Sequence, residues 1–217
     1  MSYAFKLLIF DWDGTLMDSQ ARIVDCFHSA IAEVGLQPRT AYDIRQVVGL
    51  GLYEGFETLC SDGNPMQLKQ AVTIYRENYF SNMAKPTPLF HNAEQVLQNL
   101  YDAGYLMAVA TGKGRRGLNE ALDTTGLRRL FHSTRCAEET TSKPNPQMLY
   151  EILEELSTVV SQAVMIGDSL FDLEMANNAG MASIAVSYGL QEKQRLLSCN
   201  PLICLDDVTE LPTWLNR

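Results

Sequence analysis

Short apolar runs recur along the chain, each bounded by polar or turn residues: Leu7–Phe10, Leu106–Ala110, Val164–Ile166, Ser183–Val186 and Leu202–Leu205. Each has about the length of a strand. A run apolar at every position suits a strand buried on both faces, as in a parallel sheet. Helical patterns lie between most of the runs. Asn92–Ala103 carries Val96, Leu97 and Leu100 at helical spacing, and Pro146–Leu156 carries Met148, Leu149, Ile152, Leu153 and Leu156. Strand and helix alternating through short links imply a doubly wound α/β fold, a parallel sheet between two helical layers. Such sheets bind ligands outside the carboxyl ends of their strands.

One long segment interrupts the alternation. From about Leu16 to Met83 the signals are helical, with no convincing strand. Asp18 or Ser19 is placed to cap a helix carrying Ile23, Val24, Phe27 and Ile31, which Gly35 and Pro38 end. A short helix is expected through Ile44–Val48, then Gly49-Leu50-Gly51, then a helix near Leu52–Leu59. Ser61-Asp62-Gly63-Asn64-Pro65 breaks the pattern, and a last helix over Met66–Asn82 stops before Lys85-Pro86-Thr87-Pro88. The expectation is an all-helical domain, residues 16–83, inserted into an α/β core formed by 1–15 and 84–217 and lying over the strand ends as a lid.

The charge balance restricts partners. Seventeen Lys and Arg against 26 Asp and Glu give a formal charge of −9. That disfavours nucleic acid and anionic membranes, which require clustered cations. A local basic pocket holding a metal could still receive a small anion. The five cysteines (Cys26, Cys60, Cys136, Cys199, Cys204) are scattered and form no C-x-x-C pair, so reduced, mostly buried thiols are expected. The apolar N-terminal run is too short for a signal-peptide core and no small-residue cleavage site follows it. No stretch approaches a membrane span. Together these predict a cytoplasmic protein.

The chemistry concentrates at strand ends. In Leu8-Ile9-Phe10-Asp11-Trp12-Asp13-Gly14-Thr15-Leu16, two aspartates two apart follow a buried strand. In extended backbone, residues i and i+2 point the same way, so both carboxylates can face one site. One could attack phosphorus to form an acyl phosphate. The other could protonate the leaving oxygen and then activate water. Turn chemistry alone accounts for Asp-Gly-Thr but not for two acids abutting four apolar residues. A second strand ends in Val164-Met165-Ile166-Gly167-Asp168-Ser169, with Asp172 four residues beyond Asp168. Asp168 with Asp11 would offer the oxygen ligands that Mg²⁺ prefers; its alternative is a helix N-cap, and that of Asp172 a first-turn acid favoured by the helix dipole. Thr111, ending Val109-Ala110-Thr111-Gly112-Lys113, could donate to a phosphoryl oxygen beside the Gly112 backbone. Gly112-Lys113-Gly114 lacks the spacing of a nucleotide P-loop. Lys143, before Pro144-Asn145-Pro146, could neutralise charge during phosphoryl transfer.

These four segments, in this order, resemble the haloacid dehalogenase superfamily, specifically phosphatases with a helical cap inserted after the first motif. The family pattern of D-x-D-G-T, a strand-end Ser or Thr, Lys before Pro, and G-D-S-x-x-D is matched by Asp11–Thr15, Thr111, Lys143-Pro144 and Gly167–Asp172. The nearest likeness is to phosphoglycolate phosphatase-like members, including Asp18-Ser19. The resemblance implies a Rossmann-like core with a mobile cap. It also implies Asp11 as nucleophile and Mg²⁺ ligand, and Asp13 as acid–base group, binding the metal through its carbonyl. Thr111 and Lys143 would hold the phosphoryl group, and Asp168 would ligate the metal, with Asp172 binding it directly or from behind another ligand. Gly14, Thr15 and Gly112 are the expected phosphate-binding positions. Arg45, just before the paired glycines 49 and 51, is the expected clamp for a distal anion, ahead of Arg22, His28 and Arg76. Trp12 is expected to pack, and Arg115 and Arg116 to be solvated.

Asp13 argues against a dehalogenase, which has no leaving alkoxide to protonate. The one cap lysine, Lys69, argues against a phosphonate hydrolase that needs a Schiff base there. The implied substrate is a small phosphorylated metabolite such as phosphoglycolate. Pyrophosphate or nucleotide hydrolysis, a sugar-phosphate mutase and a non-catalytic scaffold are the other readings. Monomer and dimer are equally compatible with the sequence.

Overall fold

A computed structural model describes residues 5–81 and 87–216. The expected end of the insertion, at residue 83, lies outside them. Six parallel strands form one sheet in the order β3-β2-β1-β4-β5-β6. They are β1 (Leu7–Phe10), β2 (Leu106–Thr111), β3 (Ser133–Cys136), β4 (Ala163–Gly167), β5 (Ala182–Val186) and β6 (Cys204–Leu205). The period-2 alternation of a strand sends Leu8 and Phe10 into one layer and Leu7 and Ile9 into the other. The first layer is closed by Val96, Leu97, Leu118 and Leu122, the second by Met148, Ile152, Met175 and Ala176.

Two core elements escape the apolar-run criterion. β3 reads Ser-Thr-Arg-Cys and is an edge strand whose two middle residues are only partly buried. The helix after β2, Arg115–Thr125, buries only Gly117, Leu118, Ala121 and Leu122. The run Leu202–Leu205 shrinks to two strand residues, because Leu202 remains partly exposed at the sheet edge.

Residues 20–81 carry four helices: α1 (Gln20–Glu33), α2 (Ala41–Arg45), α3 (Leu52–Leu59) and α4 (Pro65–Ser81). They surround a cluster of their own that includes Ile23, Phe27, Ile44, Phe56, Leu68 and Ile74. Phe27 packs on Phe56 and Tyr75, with ring centroids 4.5 and 5.1 Å apart. The short helix lies earlier than Ile44–Val48. Thr40 and Asp43 form a reciprocal capping box that sets its start, and it ends at Arg45. Ser19 precedes α1 but its hydroxyl makes no cap bond; it is used elsewhere. The chain enters and leaves this segment side by side. Met17 bridges Leu89 in antiparallel fashion, and the Asp18 N–H donates to the Pro88 carbonyl at 2.9 Å. All five cysteines are free, four of them buried. Among the described residues no helix is long and apolar enough to cross a membrane.

Candidate active site

Strand order decides which side chains meet. β1 lies between β2 and β4, so the residues just past their carboxyl ends (Asp11, Thr111 and Asp168) converge at the middle of the sheet. Asp11 is 2% exposed, and its N–H donates to the Ile166 carbonyl at 2.9 Å. Asp11, Asp13 and Thr111 line a cavity of about 620 Å³, roofed by residues of α1, α3, α4 and the Gly49–Gly51 loop. The side-by-side aspartates inferred from the sequence are therefore present. Trp12 between them is fully buried, edge-on to Phe131, as expected.

Beneath the cavity lies a charged cluster. Lys143 Nζ stands 2.5 Å from Asp172 Oδ1 and 3.0 Å from Asp11 Oδ1, and all three side chains are essentially sealed from solvent. Oxygens of Asp11, Asp168 and Asp172 lie within 4.8 Å of one another. Burial pushes the Asp11 carboxyl up to about 7; the Lys143 ammonium opposes this and Asp172 adds to it. Burial, then the charges of Asp11 and Asp172, hold Asp168 well above the usual carboxylate range. Burial alone would lower the Lys143 ammonium, but Asp11 and Asp172 more than offset it, so it stays charged.

These residues fit a divalent cation. Asp11 Oδ1 is buried and receives no well-directed hydrogen bond, although Lys143 is near. The buried aspartates at 11, 13, 168 and 172 face two ammonium groups, Lys113 and Lys143. The carboxylates thus outnumber the cations, and a divalent cation would favour the charged forms of Asp11 and Asp168 that burial otherwise opposes. Hard oxygen donors of this kind suit Mg²⁺.

Several expected roles change. Thr15 does not face the cavity: its hydroxyl donates to Asp168 Oδ1 at 3.0 Å, while the Leu190 N–H donates to Oδ2 at 2.7 Å. Gly14 serves the same carboxylate, making room for it rather than for phosphate. Gly112 lines the cavity but is held against the roof, where a Cβ would stand 2.3 Å from the Leu50 carbonyl oxygen. Asp168 is not the N-cap of the helix Leu170–Ala179. Ser169 is, in a capping box with Asp172, whose Oδ2 accepts from the Ser169 N–H and hydroxyl. Asp172 therefore fixes Lys143 and the helix start at once. Arg45 ends α2 and is not among the cavity-lining residues, whereas Arg76 and Arg116 are. Arg22 donates to the Tyr79 carbonyl and lies over its ring, and exposed His28 bonds the Arg39 carbonyl. Arg115 is partly buried and engaged rather than free in solvent. It pairs with Glu139 at 2.6 Å and donates to Thr134.

Sequence reasoning missed Lys113. Its Nζ donates to both oxygens of Asp13 at 3.0 Å and to the Tyr79 hydroxyl at 2.8 Å. Ser19 Oγ donates to Asp13 Oδ1 at 2.7 Å, which is why it does not cap α1. The signal was the lysine two residues past a strand-end threonine, inside the segment set aside for not being a P-loop.

The fold has close counterparts. The family model for haloacid dehalogenase-like hydrolases matches residues 8–186. A phosphoglycolate phosphatase of Psychrobacter arcticus is 30% identical over 219 residues, spanning 97% of this chain and 95% of the relative. The crystal structure of a predicted phosphoglycolate phosphatase from Haemophilus somnus superposes with a TM-score of 0.85 at 24% identity, covering 97% of each chain. That of a hydrolase from Pseudomonas syringae gives 0.89 at 18%, covering 97% and 98%.

Proposed function

Because the chain belongs to the haloacid dehalogenase-like hydrolases, we propose that it hydrolyses small phosphomonoesters, phosphoglycolate among them, through a phosphorylated Asp11. The observation that carries this reading is the state of Asp11. It is buried at the cavity floor beside Lys143, with one oxygen lacking a directed hydrogen bond and Asp13 lining the same cavity. A mere structural role would not leave a buried carboxylate so poorly satisfied.

In the proposed first step, an Asp11 carboxylate oxygen attacks phosphorus, the bond from phosphorus to the ester oxygen breaks, and that oxygen takes a proton from Asp13. In the second, water attacks the same phosphorus, gives a proton to Asp13, and the bond from Asp11 to phosphorus breaks to release phosphate. Lys143 offsets negative charge at Asp11, and the Thr111 hydroxyl, which lines the cavity, is available to a phosphoryl oxygen. Asp11 and Asp168, with Asp172 behind them, would hold a divalent cation, which supplies Lewis-acid stabilisation of the phosphoryl oxygens. Residues 16–83 would act as a cap that excludes water from the cavity.

The test is phosphate release from a panel of phosphomonoesters and pyrophosphate, with Mg²⁺ and with EDTA, alongside Asp11→Asn. Turnover lost in EDTA and in the variant supports the reading. Turnover indifferent to both sinks it.

A further inference from the structure

Asp13 is not free to act as it stands. Both of its oxygens accept from Lys113 and one also accepts from Ser19. To reach a leaving oxygen, Asp13 must give up at least one of the Lys113 bonds. Lys113 for its part has all three ammonium donors engaged, the third on the Tyr79 hydroxyl of α4, and its side chain is only 7% exposed. An ammonium in that setting does not let go of a carboxylate without another anion to take its place, because the loss would leave a nearly buried charge short of partners.

Among the described residues that line the cavity, the other cations are Arg76 and Arg116, with side chains 55% and 67% exposed and facing Glu138 and Glu120. They stand at the rim. Lys113 alone adjoins the acid–base group, hence the ester oxygen that Asp13 would protonate. An anionic substituent close to that oxygen would reach Lys113 and not the rim arginines.

We propose that Lys113 is a specificity-determining residue that exchanges Asp13 for a carboxylate carried on the substrate about one carbon from its ester oxygen. This rests on the phosphatase reading above. Such a substrate supplies the replacement anion and by doing so frees the Asp13 carboxyl to turn to the leaving group. A phosphomonoester of the same size without that carboxylate leaves Lys113 on Asp13. The discrimination therefore falls on turnover as well as on binding. Tyr79, which accepts one donor and also offers its ring 4.6 Å from Nζ, keeps the ammonium in reach of both partners.

The experiment compares phosphoglycolate, ethyl phosphate and p-nitrophenyl phosphate on the full-length protein with Mg²⁺. The wild type should favour phosphoglycolate over ethyl phosphate by about 10⁴-fold in kcat/KM, the order expected when a built polar site loses its partner. Lys113→Met should bring that ratio below about 10, with kcat as well as KM moving for phosphoglycolate. Turnover of p-nitrophenyl phosphate, whose leaving group needs little protonation, should fall by a smaller factor than that of phosphoglycolate. Tyr79→Phe, a milder change that keeps the ring, should lower the same ratio by a smaller factor. A ratio that both variants leave untouched overturns the proposal, as does an equal loss on all three substrates. A wild type that hydrolyses p-nitrophenyl phosphate but does not prefer phosphoglycolate to ethyl phosphate overturns it too, and leaves the phosphatase reading standing. Failure to hydrolyse any of the three removes both.

Discussion

Gly14 and Asp168 share a space too small for one more methyl group: a Cβ on Gly14 would stand 2.2 Å from Asp168 Oδ2. The backbone at Gly14 also has φ +87°, a conformation that side chains disfavour. Gly14→Ala should therefore destabilise the fold by about 1–3 kcal/mol from backbone strain alone and displace the Asp168 carboxylate. Denaturant unfolding gives the first effect and Mg²⁺ titration the second. A variant with unaltered stability and metal affinity would show that this glycine is replaceable.

Metal binding should itself be visible as stability. A cation held only by the folded state adds about 2.7 kcal/mol at a concentration 100 times its dissociation constant. Wild-type protein should accordingly unfold at higher temperature in Mg²⁺ than in EDTA, and Asp168→Asn should lose most of the increment. Identical melting curves for the two proteins in both buffers would remove Asp168 from the metal site.

Lys143 is the only cation in contact with the Asp11 and Asp172 carboxylates among the described residues. Lys143→Met would leave buried carboxylates uncompensated, a change that typically costs about 3–5 kcal/mol. Mg²⁺ should recover part of that loss, and the double variant Lys143→Met, Asp172→Asn should be more stable than the single one. A single variant as stable as the wild type in EDTA would mean the cluster is balanced by other means.

The thiols offer a test of burial beside the site, where Cys136 is the strand partner of Thr111. Burial pushes the Cys136 thiol from its ordinary 9.0 up to about 12, against the pull of Arg115. A thiol raised in the folded state contributes stability that is fully present below about pH 9 and is lost as pH climbs toward 12. The wild type should lose roughly 1–2 kcal/mol between pH 8 and 10.5 that Cys136→Ala does not lose. The stability gap between the two should thus narrow as pH rises, and a constant gap would contradict the burial effect.

The sequence revealed most where one physical signal dominated. Four apolar residues before Asp11 fix a central strand, since such a run has no other use in a chain of this composition. β3 was invisible because an edge strand needs little apolar surface, and its polar Thr134 and Arg135 serve Arg115, Glu151 and Glu155 instead. Site residues on strand ends were legible for the same reason as the strands. Lys113 and the partners of Thr15 were not, because their contacts span from 34 to 153 positions, and spacing along the chain carries no trace of such pairings. Arg45 was favoured for its nearness to two glycines, but the residues that reach the cavity from that region are the loop itself and α3.

The Met17–Leu89 bridge has a consequence for how the molecule can change. Because Asp18 and Pro88 are already hydrogen-bonded neighbours, the two ends of the helical segment, at its seam with the sheet, lie as close together as paired strands of a β-hairpin. Joining those two points directly would cost little chain entropy, since closure scales only with the logarithm of loop length. The helical segment is thus an exchangeable module: another insert with adjacent ends could be grafted at the same seam without altering the register of β1 on β2.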